Sequence, residues 1–366
     1  MNKKIKILMT ADSIGGVWTY VCELVKGLNE IDFEIILAVM GRPPSISQYG
    51  EINCNGNVTI LFKPFRLEWM ENADLDILNA GEWLLSLQDT YNIDIAHING
   101  YAHVSLPWKC PVICVAHSCV YSWYAHVKNA TPDPSWGEYK KRVCEALVNA
   151  DLVISPSFAM QKDLIENYVD IKKAKVIYNG RSDNHFGTGK KEPLLFASGR
   201  TWDDAKNLKC LSGITKIEWP LYIAGDTGLS VCDEYHLGFL GASEIVSWFN
   251  KASIYVHPAL YEPFGLSVLE AAHCGCALVL GDIPSLNEIW ENAAIYVNPR
   301  STKDIEEKLL KLINDKDALL YYASKATMRA KMYTRGLMCE KYENVYKELL
   351  LQSSRVQEIP WREKCV

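Results

Sequence analysis

Glu262 and Glu270 stand eight positions apart in "YEPFGLSVLEAAHCG", with Pro263 and Gly265 between them. Pro263 disfavours helical geometry at Glu262, and Gly265 permits a tight backbone turn. A helix starting near Leu266 would leave Glu262 in the loop before it and place Glu270 about one turn inside. Its first free amides, around Leu266, Ser267 and Val268, would present the positive end of the helix to an anion. A phosphate there would lie between two carboxylates able to accept hydrogen bonds from hydroxyls. The alternative is an acidic helix start with no further role.

Other groups suit the same chemistry. In "ASGRTWDDAKNL", Arg200 follows an apolar run and a glycine, and Lys206 lies six residues on, near an expected helix start. A guanidinium fork and a mobile ammonium could converge on a phosphate. Taken alone, Lys206 would sooner pair with Asp203 or Asp204. In "TADSIGGVWTY", Gly15 and Gly16 allow a tight turn whose following amides could hold an anion, although neither a dinucleotide fingerprint nor a P-loop is spelled out. His117 closes the apolar run "VICVAH" and is either a satisfied structural histidine or a donor to a ligand oxygen. His97, His103, His126 and His257 lean towards structure.

Stepping outwards, these residues follow short, Ile- and Val-rich runs: "IKILMTA", "FEIILAVM", "IDIAHING", "PVICVAHS", "DLVISPS" and "KVIYNG", then "LLFASGR", "PLYIAGD", "HLGFLG", "SIYVHPA", "ALVLGD" and "AIYVNP". Such continuous apolar strands are buried on both faces. Helical patterns at Trp18–Leu28, Trp136–Ala150, Ser157–Tyr168, Ser243–Phe249 and Thr302–Ile313 separate many of them. The reading is α/β, with two Rossmann-like, doubly wound parallel-sheet domains facing across a cleft. The boundary is expected near Asn179–Pro193. The predicted division is 1–180, 181–335, and a helical tail over 336–366, which overlaps a charged amphipathic stretch, Thr327–Leu351.

Bulk properties fit this plan. A chain of 366 residues suits two domains. A formal charge of −6 gives no broad field for nucleic acid. No apolar run reaches the length of a membrane span. The 12 cysteines lack zinc-site spacing, so reduced thiols in a cytoplasmic protein are expected. Lys172, Lys173 and Lys175 are either a solvated turn or a peripheral contact with a membrane surface. Trp18, Trp69, Trp83, Trp108, Trp123 and Trp136 either fill the core or offer faces to a sugar.

With the glutamate pair, "GCALVLGDIPSLNEIW", "ASGR" with Lys206, "VISPS", "VIYNG" and the early double glycine in that order, the chain resembles the retaining GT-B glycosyltransferases of the family 4 group over nearly its whole length. The resemblance implies transfer of a hexosyl group from a nucleotide-sugar donor to a saccharide or lipid-linked acceptor, with no essential metal and no cofactor besides the donor. It implies that Glu270 accepts from the ribose and Glu262 meets the donor sugar. Arg200 and Lys206 would neutralise the diphosphate with the amides of Gly265, Leu266 and Ser267. Gly15 and Gly16 would approach the phosphate, and His117 would contact the sugar. By the same resemblance the tail returns to the first domain. Two departures stand out: Lys206 is one residue further from Arg200 than in many relatives and lacks the following glycine, leaving Lys209 as a substitute, and no proline precedes the glycine pair. A nucleotide-sugar epimerase and a non-catalytic sugar-nucleotide-binding protein are the alternatives. The expected setting is the cytoplasm or the inner face of a membrane.

Overall fold

The computed structural model describes residues 4–28, 33–52, 56–182, 187, 189–226 and 235–357, with side chains up to residue 353. The first sheet contains β1 (Ile5–Asp12), β2 (Phe33–Met40), β3 (Val58–Phe62), β4 (Ile95–Asn99), β5 (Val112–Val115), β6 (Leu152–Ser155) and β7 (Ala174–Val176). The second contains β8 (Glu192–Ser198), β9 (Leu221–Ala224), β10 (His236–Gly238), β11 (Ala252–His257), β12 (Ala277–Gly281) and β13 (Ile295–Val297). Helices α1 (Gly16–Leu28), α2 (Ile46–Ile52), α3 (Asp74–Tyr91), α4 (Val120–Trp123), α5 (Gly137–Asn149) and α6 (Phe158–Asn167) accompany the first sheet. Helices α7 (Ala242–Lys251), α8 (Leu266–His273), α9 (Pro284–Trp290), α10 (Thr302–Asn314) and α11 (Lys316–Ala330) follow with the second, and α12 (Arg335–Gln357) comes last.

The strand orders are β3-β2-β1-β4-β5-β6-β7 and β10-β9-β8-β11-β12-β13. Every pairing is parallel, as buried strands joined by crossover helices require. The order reverses between β1 and β4 in one sheet and between β8 and β11 in the other. At such reversals the connections leave in opposite directions and open a crevice beyond the strand ends. Asp12 and Asn99 end β1 and β4; Ser198 and His257 end β8 and β11.

Several features escaped the apolar-run reading, among them the short helices α4 and α9. Strand β3 is half-buried at the sheet edge, and α2 and α3 lie in stretches with mixed polarity. The expected continuous tail is also broken. Thr327 to Ala330 finish α11, where the Thr327 hydroxyl donates to the Ala272 carbonyl at 3.0 Å. After the break α12 packs on the first sheet's core, burying Met338, Cys339, Tyr342, Val345, Tyr346 and Leu349 with β1 and α1. The 23-residue helix has too much polar surface to stand alone, and this apolar face is what holds it. His97 clamps it: its Nδ1 lies 2.7 Å from the Tyr346 hydroxyl and its Nε2 3.2 Å from that of Tyr20.

The chain crosses between the sheets twice, and the crossings bond to each other. Arg181 N donates to the Tyr333 carbonyl at 3.1 Å, and Arg335 N donates to that of Arg181 at 3.0 Å. Residues 183–186 and 188 of the predicted connecting segment lie outside the described residues. No described helix is long and apolar enough to cross a membrane. The nine cysteines among the described residues are free thiols.

Candidate functional site

Two glycine turns face each other across the crevice. Gly15 and Gly265 have φ of +73° and +90°, in the left-handed region that a side chain strains to adopt. Each precedes a helix: α1 begins at Gly16 and α8 at Leu266. A Cβ on Gly16 would sit 3.7 Å from Leu266 Cδ1, so the two helix starts nearly touch. Their unpaired amides and dipoles bring positive potential to one place from both sides.

Arg200 enters at this point. A Cβ on Gly15 would be 3.2 Å from its Nη1, so the absence of a side chain there leaves room for the guanidinium. Its Nη2 pairs with Asp203 Oδ2 at 2.7 Å, and its plane lies over Trp202 at 5.2 Å from the ring centroid. Asp203 is buried and also accepts from the Trp123 indole of the first domain at 3.1 Å. Asp12 lies close to Arg200 from the end of β1. Burial pushes its carboxyl up to about 6, against the pull of the Ile14 amide and Arg200.

Lys206 departs from its expected pairing. It sits in a turn just before a short 3-10 stretch over Leu208–Gly213, near a helix start as expected. It pairs with neither Asp203 nor Asp204 but with Glu262. His257, fully buried at the end of β11, approaches the same Glu262 oxygen at 3.1 Å. Burial opposes the charge on Glu262, yet Lys206 and His257 hold its carboxyl well below the usual range. Lys209 is exposed and faces Asp204 at 3.6 Å, away from this cluster.

Glu270 lies one turn into α8, half-buried, and has a partner the sequence reading missed. Arg181 Nε is 2.9 Å from its Oε1, and Arg181 Nη1 is 2.9 Å from Glu23 Oε1 of α1. Burial pushes the Glu270 carboxyl up, Arg181 opposes this, and Glu23 adds to it.

His117 lies half-buried at the end of β5, edge-on to Tyr20 with ring centroids 4.6 Å apart. Its Nε2 is 2.8 Å from Asn99 Oδ1. Asn99 Nδ2 donates to the Thr10 carbonyl at 2.7 Å, which turns its Oδ1 towards the histidine. Nε2 therefore carries the proton and Nδ1 is an acceptor. Burial pushes the imidazole down to about 4, so it is neutral at pH 7.

The remaining motifs hold this frame. Ser157, in "VISPS", caps α6 by accepting from Met160 N at 3.1 Å and donates at 2.7 Å to the Pro263 carbonyl of the glutamate loop. Glu288, in "GCALVLGDIPSLNEIW", takes the free amides of Phe158 and Ala159 at 2.8 Å each, and the Tyr178 hydroxyl at 3.0 Å. Of the tryptophans, Trp18 and Trp83 are core, and Trp69 is 44% exposed. Lys172 and Lys173 are exposed, and Lys175 pairs with Glu348 at 2.5 Å. A cavity of about 180 Å³ opens beside Lys128, Asp204 and Lys209 and shares Asp203 with the Arg200 site. His257, Arg181, Asp12, Asn99 and Asp203 were missed as site residues. Three of these five, Asp12, Asn99 and His257, end strands, and that position was the available signal.

A family model described as Glycosyltransferase Family 4 matches residues 14–184, and one described as Glycosyl transferases group 1 matches residues 234–331. The chain is 32% identical over 115 residues to an N,N'-diacetylbacillosaminyl-diphospho-undecaprenol alpha-1,3-N-acetylgalactosaminyltransferase of Campylobacter jejuni, covering 31% of each chain. It is 29% identical over 283 residues to the serotype-specific mannosyltransferase WbdA of Escherichia coli, covering 67% of this chain and 33% of that one. The matches thus span about a third of these two relatives. Sucrose-phosphate synthase from Thermosynechococcus elongatus superposes with a TM-score of 0.81 at 15% identity, covering 95% of this chain and 100% of that one, which establishes the two-domain GT-B fold. One model matching the glycine turn of the first sheet and the other matching the glutamate loop of the second, in this order and on this fold, mean that the chain belongs to glycosyltransferase family 4.

Proposed function

We propose that this chain transfers a hexosyl group from a nucleotide sugar to a saccharide or lipid-linked saccharide, with retention at the anomeric carbon and without an essential metal. The observation that carries the reading is the approach of two helix starts and Arg200 to one another, with Glu262 in the loop that precedes α8 and Glu270 one turn inside it. A diphosphate suits that point: fixed amides and a guanidinium stabilise the charge that grows as the leaving group departs.

In this reading the acceptor oxygen forms its bond to the anomeric carbon on the face from which the diphosphate leaves. The bond from that carbon to the phosphate oxygen breaks, and the acceptor proton passes to a departing phosphate oxygen. Arg200, Gly15, Gly16 and the amides of Gly265, Leu266 and Ser267 hold the diphosphate. Lys206 neutralises Glu262 and adds positive potential beside the phosphates. Glu262, held by Lys206 and His257, accepts from donor-sugar hydroxyls, and Glu270 accepts from the ribose. The neutral His117 presents Nδ1 to the sugar. An imidazolium there would oppose the positive charge that develops on the ring.

The Campylobacter relative, an N-acetylgalactosaminyltransferase acting on a diphospho-undecaprenol-linked sugar, supports a lipid-linked acceptor, and the Escherichia mannosyltransferase supports a hexosyl donor. Such chemistry suits the cytoplasm, at the inner membrane face where the acceptor is lipid-linked. Exposed Lys172 and Lys173 are candidates for the peripheral contact.

The test is a panel of UDP-, GDP- and ADP-sugars with saccharide acceptors and product detection. A new glycoside that retains the donor's anomeric configuration is expected, whereas stereochemical change of the donor without an acceptor would indicate an epimerase. Arg200→Ala should cut turnover severely and Glu270→Ala should weaken donor use. Unchanged transfer in both folded variants sinks the assignment.

A further inference from the structure

Glu270 is built into a three-charge cluster assembled from three parts of the chain. Glu23 belongs to α1, Arg181 to the crossing between the sheets and Glu270 to α8. Glu23 is 3% exposed. Its Oε1 takes the Arg181 guanidinium, and its Oε2 accepts from Ser182 N at 2.9 Å. The backbone of Arg181 is held on both sides by Tyr333 and Arg335. Gly180 lies so close to the return crossing that a Cβ would come within 2.2 Å of the Thr334 carbonyl. The guanidinium is therefore anchored where the two crossings meet.

This anchoring matters for a hydroxyl-binding carboxylate. The ion pair with Arg181 Nε draws Oε1 towards the guanidinium and leaves Oε2 for a ligand. Glu23 in turn stops the long Arg181 side chain from swinging into solvent or onto a bound phosphate. Two carboxylates sharing one guanidinium also leave the cluster with an excess negative charge, which suits neutral hydroxyl donors and repels a phosphorylated ribose.

We propose that Arg181 is a positioning residue for donor recognition, holding Glu270 in the orientation that accepts from an unsubstituted ribose diol, with Glu23 holding Arg181 in place. The proposal rests on the reading of Glu270 as the ribose acceptor. Because Arg181 sits at the crossings, the ribose contact depends on the two domains meeting as they do here.

The experiment titrates the full chain with UDP, GDP and ADP, and with the 2'-deoxy form of whichever binds. Wild type should prefer the ribonucleotide, and Glu270→Gln should remove that preference. Arg181→Met should weaken ribonucleotide binding about ten- to hundredfold, the range for loss of a hydrogen bond to a charged group, and flatten the ribo/deoxy ratio. Arg181→Lys should recover part of both. If Arg181→Met keeps the ratio while Glu270→Gln loses it, the inference is overturned and the ribose reading stands. If Glu270→Gln keeps the ratio, or none of the three nucleotides binds, the underlying reading fails. Should Arg181→Met not fold, Glu23→Gln carries the same test: a flattened ratio supports the inference and a wild-type ratio overturns it.

Discussion

Replacing Lys206 by methionine isolates the electrostatics of the glutamate loop. The side chains of Lys206 and Glu262 are only 19% and 11% exposed, and His257 is fully buried beside them. Removing one partner of such a pair strands a buried carboxylate, at a typical cost of about 3–5 kcal/mol. His257 remains 3.1 Å away, which places the expected loss near the lower end, about 3 kcal/mol. For a domain of this size that lowers the melting temperature by roughly 6–12 °C. The pH dependence has a defined sign. In the wild type the depressed carboxyl contributes stability that is complete above its ordinary value of 4.5 and lost as pH falls through the folded value. In Lys206→Met, burial raises the folded value, so protonation relieves the stranded charge. The stability gap between the two proteins should therefore narrow as pH drops from 7 towards 5. Lys206→Met/Glu262→Gln removes both charges and should return to within about 1–2 kcal/mol of wild type, while sugar transfer stays lost. The assay is thermal and urea unfolding of the three variants, Glu262→Gln included, across this pH range. A double variant as unstable as the sum of the two singles, or a gap that widens in acid, refutes the reasoning.

Two further perturbations probe the frame. Gly265→Ala forces a side chain into φ +90° with its Cβ 3.1 Å from Val268 Cγ2; strain of about 1–3 kcal/mol should shift the first turn of α8 and weaken nucleotide binding, read by melting and titration. Glu288→Ala removes the acceptor of two α6 amides and of Tyr178. Amide exchange at Phe158 and Ala159 should accelerate, and the radius of gyration measured by X-ray scattering should rise; wild-type exchange at both amides contradicts the role of Glu288 in joining α6 to α9.

Much of the fold was legible because buried parallel strands are apolar throughout. The runs ending at Asp12, Asn99, Ser198 and His257 mark the crevice without reference to any contact. Strand β3 was missed although other edge strands were read: its residues are all half-buried and Thr59 interrupts the apolar run. Helix α3 was missed because its polar residues interrupt the helical period. The loop between Glu262 and Glu270 was readable for a different reason: Pro263 and Gly265 act on their own backbone, so the start of α8 at Leu266 is a local property.

The partners of the charged groups were not readable, and the reason is distance along the chain. Lys206 finds Glu262 56 residues away, and Arg181 joins Glu23 and Glu270 from opposite domains. A pairing of that kind depends on which strand ends lie side by side and on how the two sheets face each other. Local spacing suggested Asp203 and Asp204 for Lys206, but Asp203 is taken by Arg200 and Trp123, and Asp204 by Lys128. The sequence by itself determined the strands, the glycine turns, the helix start and the kinds of group that meet a sugar nucleotide, because each follows from local backbone preference and side-chain chemistry. Only the tertiary structure decided which charge neutralises which, because long-range ion pairs are chosen by proximity and burial after the chain has folded.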